Sequence, residues 1–423
     1  MHAIGIRRAT VLGAGALIAG FVLAAHRADG EPTRTAEPAK ATRTASVETH
    51  AAAATTTASP RPEKAMLIGD GALRGALDMT TIKLAGDHYE AALTDHRRAV
   101  LTLDPVLQKA AWKVIDHARA PLAAIVVMTT DGRLLAYAGR RNIEPVRAKD
   151  FTLPGQVWAP AASVFKIVTA SALLDAGIKP TRKVCYHGGF HGIDASNITD
   201  TSYDDTCNDL SYAIAESQNA IIAKLAHRHL QPERLARFAR IFGFGWAPSM
   251  ALPAEASHCA VPTGDLEFAQ FAAGFWSSEL SAVGAAVLVD TIATGGLRVT
   301  PRIVAEVTNP AGAATPVVAR APERVLDADI AAQVGKMMEA TTETGTARHG
   351  FHDRRGRNFL DVSVAGKTGT LARDEPSYLG YSWFVGYAPA DDPEIVIAVI
   401  LGNPAKWWLK GNTAARMVLQ ARY

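Results

Sequence analysis

The chain has 423 residues, 48% of them hydrophobic and 20% charged, which is the composition of a globular protein with a sizeable core. Its 44 basic and 41 acidic side chains leave a net charge of +3, and no basic run is interleaved with aromatics, so nucleic-acid binding is set aside. The length fits two to three domains, or one large domain with appendages.

In chain order, Arg7 and Arg8 precede a weakly polar to apolar run from Ala9 to Ala25, closed by His26 and Arg27. Positive charge followed by such a run reads as an export signal. Residues 1–26 are expected to be either an uncleaved signal-anchor or a signal peptide cut after Ala24 or Ala25, since the two overlap in length and hydropathy. The folded part is then expected on the periplasmic or extracytoplasmic side of the inner membrane, with membrane contact through residues 9–25. Residues 27–64 are Ala, Thr, Pro and scattered charges with almost no large apolar side chain. Such a segment cannot offset its ordering entropy and is expected to be a disordered linker. Residues 65–97 read as a short N-terminal segment with a strand or two.

The main domain is expected over residues 98–423. Pro105 starts a helix with apolar residues at helical spacing. Ala123–Met128 reads as a buried strand that turns at 130–133 and returns from Leu134 as a hairpin. A helix is expected near 160–176, with Pro160 at its start and Gly177 at its end. Helical runs follow at Leu210–Leu230, Pro232–Phe242 and Ala282–Ala293. Asp361–Thr370 looks extended, Ser382–Ala388 and Glu394–Leu401 are two further strands, and a last helix spans about 413–421. Two early strands, three late ones and helices between them predict an α+β fold. It is a mostly antiparallel five-stranded sheet flanked by helices, with an inserted helical subdomain.

Three motifs carry chemistry. Ser163 and Lys166 are three residues apart, which puts hydroxyl and amine on one face of a helix. Ser217 and Asn219 lie in the run 210–230, and Lys367, Thr368, Gly369 and Thr370 follow an extended stretch. Alone, each has a plainer reading: a capping serine, solvated helix positions, a lysine guarding a sheet edge. Together they supply the parts of an acyl transfer. Ser163 would attack, and a Lys166 kept neutral by burial and by Lys367 would be its base. Ser217 would relay a proton to the leaving amine, and Asn219 would hold Lys166 and the substrate amide. The backbone N–H groups of Ser163 and Thr370 would form an oxyanion hole. Gly369 would let the substrate backbone approach, while Lys367, Thr368 and Thr370 would suit a carboxylate.

Ser-x-x-Lys, Ser-x-Asn and Lys-Thr-Gly-Thr in that order resemble the signature of serine penicillin-recognising enzymes. Val100–Asp104 with Gln108, Gly345–Ala347 and Trp383–Pro389 look like the transpeptidase domain of penicillin-binding proteins. The resemblance covers about residues 98–423. It implies a D,D-transpeptidase acting on the D-Ala-D-Ala end of peptidoglycan stem peptides, inhibited covalently by β-lactams, with no cofactor and no metal. Residues 27–97 are too few for a glycosyltransferase domain, so that activity is expected from a separate partner. The class A β-lactamase element Glu-x-x-x-Asn is not found. A D,D-carboxypeptidase, a slow β-lactamase and a non-catalytic penicillin-binding sensor remain as alternatives. One departure is at Gly274–Ser281, where the family's Gly-x-Gly and Thr-Pro pattern is missing and Trp276 reads as core.

The chain has three cysteines. Cys185 and Cys207 flank one loop. With His187 and His191 they invite a zinc reading, and in an oxidising compartment a disulfide is the stronger one. Cys259 is left as a buried thiol.

Overall fold

The computed structural model describes residues 67–143, 146–190 and 192–423. The signal or anchor, the linker and His191 lie outside the described residues. None of the described helices is long and apolar enough to cross a membrane.

The chain opens with strands β1 (Ile68–Gly69), β2 (Leu77–Ala85), β3 (His88–Leu93) and β4 (Arg98–Leu101). Helix α1 (Pro105–Ala118) follows, where the Asp104 carboxylate accepts the N–H groups of Val106 and Leu107 and Pro105 occupies the first turn. Next come β5 (Leu122–Thr129), β6 (Leu134–Ile143), β7 (Val146–Lys149) and β8 (Ala159–Pro160), a 3-10 turn over Ala162–Phe165, and α2 (Lys166–Asp175). The middle of the chain holds β9 (Val184–Tyr186), β10 (Thr206–Asn208), α3 (Leu210–Ala215), α4 (Asn219–His229), α5 (Pro232–Ile241), β11 (His258–Cys259), α6 (Asp265–Ala272), β12 (Ser278–Leu280) and α7 (Ala282–Ala293). Then come β13 (Leu297–Arg298), β14 (Val304–Thr308), β15 (Ala314–Val318), β16 (Glu323–Arg324), α8 (Ala328–Glu343) and α9 (Arg348–Phe351). The chain closes with β17 (Ala365–Arg373), β18 (Leu379–Ala388), β19 (Ile395–Asn403) and α10 (Gly411–Leu419).

The central sheet is antiparallel in the order β17-β18-β19-β5-β6-β7. It has six strands, one more than the sequence predicts, because β7 hairpins back on β6 without an apolar run to announce it. Every residue of β18 and β19 is buried, so both faces are covered. Alternate residues feed two cores. Ala124, Trp383 and Ile400 face the helices that include α2, α4 and α7, and Ile125, Phe384 and Val399 face α1 and α10.

The mixed layout of sheets and helices is the α+β architecture predicted, with three local differences. The helix expected near 160–176 starts only at Lys166, because Ala159–Pro160 pairs with β12 and Ala162 takes a left-handed φ of 49°. The run Leu210–Leu230 is two helices, broken at Ser217 with φ of 55°. The strand expected from Asp361 begins at Ala365.

A second six-stranded sheet, β1-β15-β14-β4-β3-β2, joins the first described residues to a segment more than 200 positions downstream. Asp70 fastens this junction. Its buried carboxylate accepts the N–H groups of Ala251 (2.6 Å), Ile303 (3.1 Å) and Val304 (2.8 Å).

Candidate active site

The Ser163 turn sits between the central sheet and the loop after α6. Trp383 Nε1 donates to Pro160 O at 2.8 Å, and Ala161 N–H donates to Ser278 O. Gly274, at φ of +90°, backs the turn so closely that a Cβ there would lie 2.3 Å from Ala162 O. On the other side, a Cβ on Gly369 would meet Trp383 Cβ at 3.1 Å, Val164 Cγ2 at 3.3 Å and Ala162 Cβ at 3.4 Å. The missing side chain admits the Ser163 turn against β17.

Lys166 is fully buried at the start of α2. Its Nζ lies 2.7 Å from Ser163 Oγ, 2.6 Å from Asn219 Oδ1 and 2.8 Å from Ala273 O. The amide of Asn219 is held the right way round, because its Nδ2 donates to Gly189 O at 2.8 Å. Burial, and then the nearby Lys367 ammonium, push the Lys166 amine well below its ordinary range.

Lys367 is also fully buried, on the face of β17 that turns toward the helices. Its Nζ donates to Ser217 Oγ at 2.9 Å and Thr368 O at 3.0 Å. Burial pulls it down to about 7, with Glu216 acting in the opposite direction. Ser217 reaches Lys367 because the chain breaks there. Gln218 caps α4 by accepting Ala220 N–H at 3.0 Å, and Ser217 is left in the left-handed region.

All eight residues singled out for chemistry or substrate therefore fall in one place. Ser163, Ser217, Asn219, Thr368 and Thr370 line a cleft of about 420 Å³, while Lys166, Lys367 and Gly369 lie buried behind it. Sequence reasoning did not single out the backbone acceptors Ala273 O and Gly189 O, which carry no side-chain signal. It named Thr346 only within the Gly345–Ala347 likeness and gave it no role, whereas its hydroxyl shares a 2.7 Å hydrogen bond with that of Thr368. Gly345 beside it packs on α3, where a Cβ would lie 2.2 Å from Ala215 O.

Gly189 belongs to the loop between β9 and β10, and Cys185 and Cys207 are disulfide-bonded across that strand pair. Neither sulfur is then free for zinc. Among the described residues no group of three or more His, Cys, Asp or Glu is placed to hold a metal. His187 instead faces Asp204 at 2.7 Å, and the fully buried Lys224 donates to Asp204 at 2.7 Å and to Cys185 O at 3.0 Å. Burial raises the Asp204 carboxyl, but the hydrogen bonds from Lys224 and His187 outweigh it and pull the group down to about 2. Cys259 is a half-buried free thiol, pushed up to about 11 by burial against the field of Arg240. Trp276 is not core. It is 47% exposed and begins a left-handed pair with Ser277, at φ of 34° and 56°.

A family model described as the penicillin-binding protein transpeptidase domain matches residues 122–420. Penicillin-binding protein PbpB of Mycobacterium tuberculosis is 26% identical over 334 residues, which cover 73% of this chain and 48% of that protein. Stage V sporulation protein D of Bacillus subtilis is 27% identical over 364 residues, covering 75% and 52%. The chain thus spans about half the length of the curated relatives it matches. Among solved structures, an imipenem acyl-enzyme of penicillin-binding protein A from M. tuberculosis superposes with a TM-score of 0.63 at 21% identity, over 76% of this chain and 78% of that one. The D,D-transpeptidase domain of a peptidoglycan glycosyltransferase from Eggerthella lenta gives 0.61 at 24%, over 76% and 82%. These two likenesses speak for the fold. The family model, which spans both the Ser163 turn and β17, settles the kinship: the chain belongs to the penicillin-binding protein transpeptidase domain family.

Proposed function

We propose that this chain is a serine D,D-transpeptidase that cross-links peptidoglycan stem peptides through an acyl-enzyme on Ser163, and that β-lactams acylate the same serine. The observation that carries this reading is the environment of Lys166 Nζ. A neutral amine has two N–H donors and one lone pair. Asn219 Oδ1 and Ala273 O can only accept, so they take both N–H groups. The lone pair is left for the third neighbour, and Ser163 O–H donates into it. That is the arrangement of a base aimed at its nucleophile.

In acylation the Ser163 Oγ–carbonyl carbon bond forms, the D-Ala-D-Ala peptide C–N bond breaks, and the Ser163 proton passes through Lys166 to the leaving amine. Ser217, bonded to Lys367, stands on the opposite wall and can hand that proton on. The Ser163 N–H, at the first turn of a 3-10 segment, has no backbone acceptor among the described residues. With the Thr370 N–H it would receive the developing oxyanion. In deacylation an acceptor amine attacks the ester and regenerates the Ser163 hydroxyl.

The acyl donor is a stem peptide ending in D-Ala-D-Ala, and the glycan strands come from a separate glycosyltransferase. The catalytic domain works on the periplasmic or extracytoplasmic side, tied to the membrane through residues 9–25 unless the signal is cleaved. The Cys185–Cys207 disulfide suits such an oxidising compartment.

Fluorescent penicillin should label the wild type and leave Ser163→Ala dark. A wild type that takes no label refutes the acyl-enzyme. Incubation with a stem peptide and an acceptor amine should yield cross-linked product. Release of D-Ala with no cross-link would assign a D,D-carboxypeptidase instead, and turnover of penicillin a slow β-lactamase.

A further inference from the structure

Glu216 stands where local electrostatics argue against a carboxylate. It caps the C-terminus of α3, its N–H donating to Tyr212 O at 2.8 Å, and Ser217 follows it directly. The C-terminal end of a helix gathers carbonyl oxygens and favours a cation. Glu216 puts a negative charge there without compensation, since its exposed side chain makes no hydrogen bond or salt bridge among the described residues. Lys367 feels its field, yet that amine is buried and already donates to Ser217 Oγ and Thr368 O.

The same carboxylate faces the chemistry. Glu216 lines the cleft that holds Ser163, and it is the one acidic residue among the described residues of that lining. Tyr212 lies one helical turn before it on the same face, lines the same cleft and is 39% exposed. Phe190, 76% exposed, borders the cleft from the β9–β10 loop. A carboxylate beside exposed aromatic surface suits an alkylammonium. The charge meets the head group, while the rings cover the methylene stem and add a cation–π attraction. A charge that is locally unfavourable and unpartnered, on the wall of a reactive cleft, marks a place kept for a ligand.

We propose that Glu216, with Tyr212, forms an ammonium subsite that receives the acyl-acceptor amine, making Glu216 the residue that favours aminolysis of the acyl-enzyme over hydrolysis. The proposal rests on the reading of the chain as an acyl transferase. The acceptor enters as an alkylammonium and gives one proton to water. Its nitrogen then bonds to the acyl carbon as the bond from that carbon to Ser163 Oγ breaks, and a second proton passes from the nitrogen to Ser163 Oγ.

Two readouts test it. In Ser163→Ala protein, where binding is read without turnover, Nα-acetyl-lysine amide and its Nε-acetylated form are titrated at fixed salt and followed by NMR. The ammonium should bind about tenfold more tightly, as expected for one charge-assisted contact. Adding Glu216→Gln should erase that preference, and Glu216→Asp should keep part of it. In the active protein, the acyl-enzyme formed from the donor peptide divides between water and an added nucleophile. Glu216→Gln should lower transfer to Nα-acetyl-lysine amide about tenfold relative to hydrolysis. It should leave the division between water and hydroxylamine, which is largely uncharged near neutral pH, as it was. A binding preference that is absent from the start, or survives Glu216→Gln, overturns the subsite. So does an equal fall with both nucleophiles, which would assign the effect of Glu216 to Lys367. Failure of the acyl-transfer reading shows differently: the wild type takes no label from fluorescent penicillin, while the Ser163→Ala protein still prefers the ammonium through Glu216.

Discussion

Two fully buried lysines, Lys166 and Lys367, each approach one serine hydroxyl, and burial lowers both amines. Both lose hydration, but only Lys367 has a carboxylate, Glu216, acting in its favour. This has a cost that can be measured. Lys367 falls from 10.5 in the unfolded chain to about 7 in the folded one. Below about 7 both states hold the proton and the full burden of burying the charge is present. As pH rises from 7 to 10.5 the unfolded chain binds more protons than the folded one, so stability recovers, by about 1.4 kcal/mol per unit of the gap. Lys367→Met should therefore melt higher than the wild type at pH 6, and that advantage should shrink steadily toward pH 10, while penicillin labelling is lost. Calorimetry of the two proteins across that range checks it. At this scale the sequence was informative where spacing enforces proximity. Ser163 and Lys166 meet because three residues make about one turn. Lys367 and Ser217 were recognisable as motif members, but nothing local brings them together. The backbone oxygens of Ala273 and Gly189 could not be read at all, since any residue supplies a carbonyl.

The misread elements are those whose ends are set by distant contacts. Apolar residues recur at helical spacing through Leu210–Leu230, so periodicity reports one helix. The break at Ser217 comes from tertiary packing, with Thr346 N–H donating to Ala215 O at the last residue of α3. Trp276 was taken as core by residue type, but β12 must pair with both β8 and β11, and the left-handed pair before it turns the indole outward. The β9–β10 loop borders the cleft and also orients the polar side chains inside it. Gly188 O and Gly189 O receive the amides of Gln218 and Asn219, and the disulfide closes the loop that presents them. Reducing Cys185–Cys207, whose cysteines are 22 positions apart, should lower stability by about 3 kcal/mol. It should also slow penicillin acylation, because Asn219 loses its fixed orientation toward Lys166. Melting temperature and labelling rate with and without reductant test both effects, and Cys207→Ala should reproduce them. An unchanged labelling rate would show that the loop serves stability alone.

Across the whole molecule, the middle of the central sheet was legible because β5, β18 and β19 are largely continuous apolar runs. The second sheet was not, since it is assembled from short half-exposed strands far apart in sequence and fastened by the single carboxylate of Asp70. A different carboxylate marks an imperfection in the main core. Asp290 of α7 is fully buried, and neither of its oxygens has a hydrogen-bond partner among the described residues. Burial, with Asp131 adding to it, raises this group well above the usual carboxylate range. The unfolded chain releases its proton above 3.8 and the folded one does not, so stability falls as pH rises beyond that value. Asp290→Leu should stabilise the protein by about 2 kcal/mol or more, with a larger gain at pH 8 than at pH 5, as read by thermal denaturation. A loss at both pH values would reveal a partner for this carboxyl. The alternation along β17 has a wider consequence. Lys367 and Gly369 point to the reacting serine, while Thr368 and Thr370 point to the other side of the same strand. On the proposed reading, chemistry and the grip on the substrate would occupy interleaved positions, so substitutions at one parity would redirect what the protein accepts while leaving its reactive machinery intact. Divergence among such proteins, natural or engineered, has a route that requires no compromise between speed and choice.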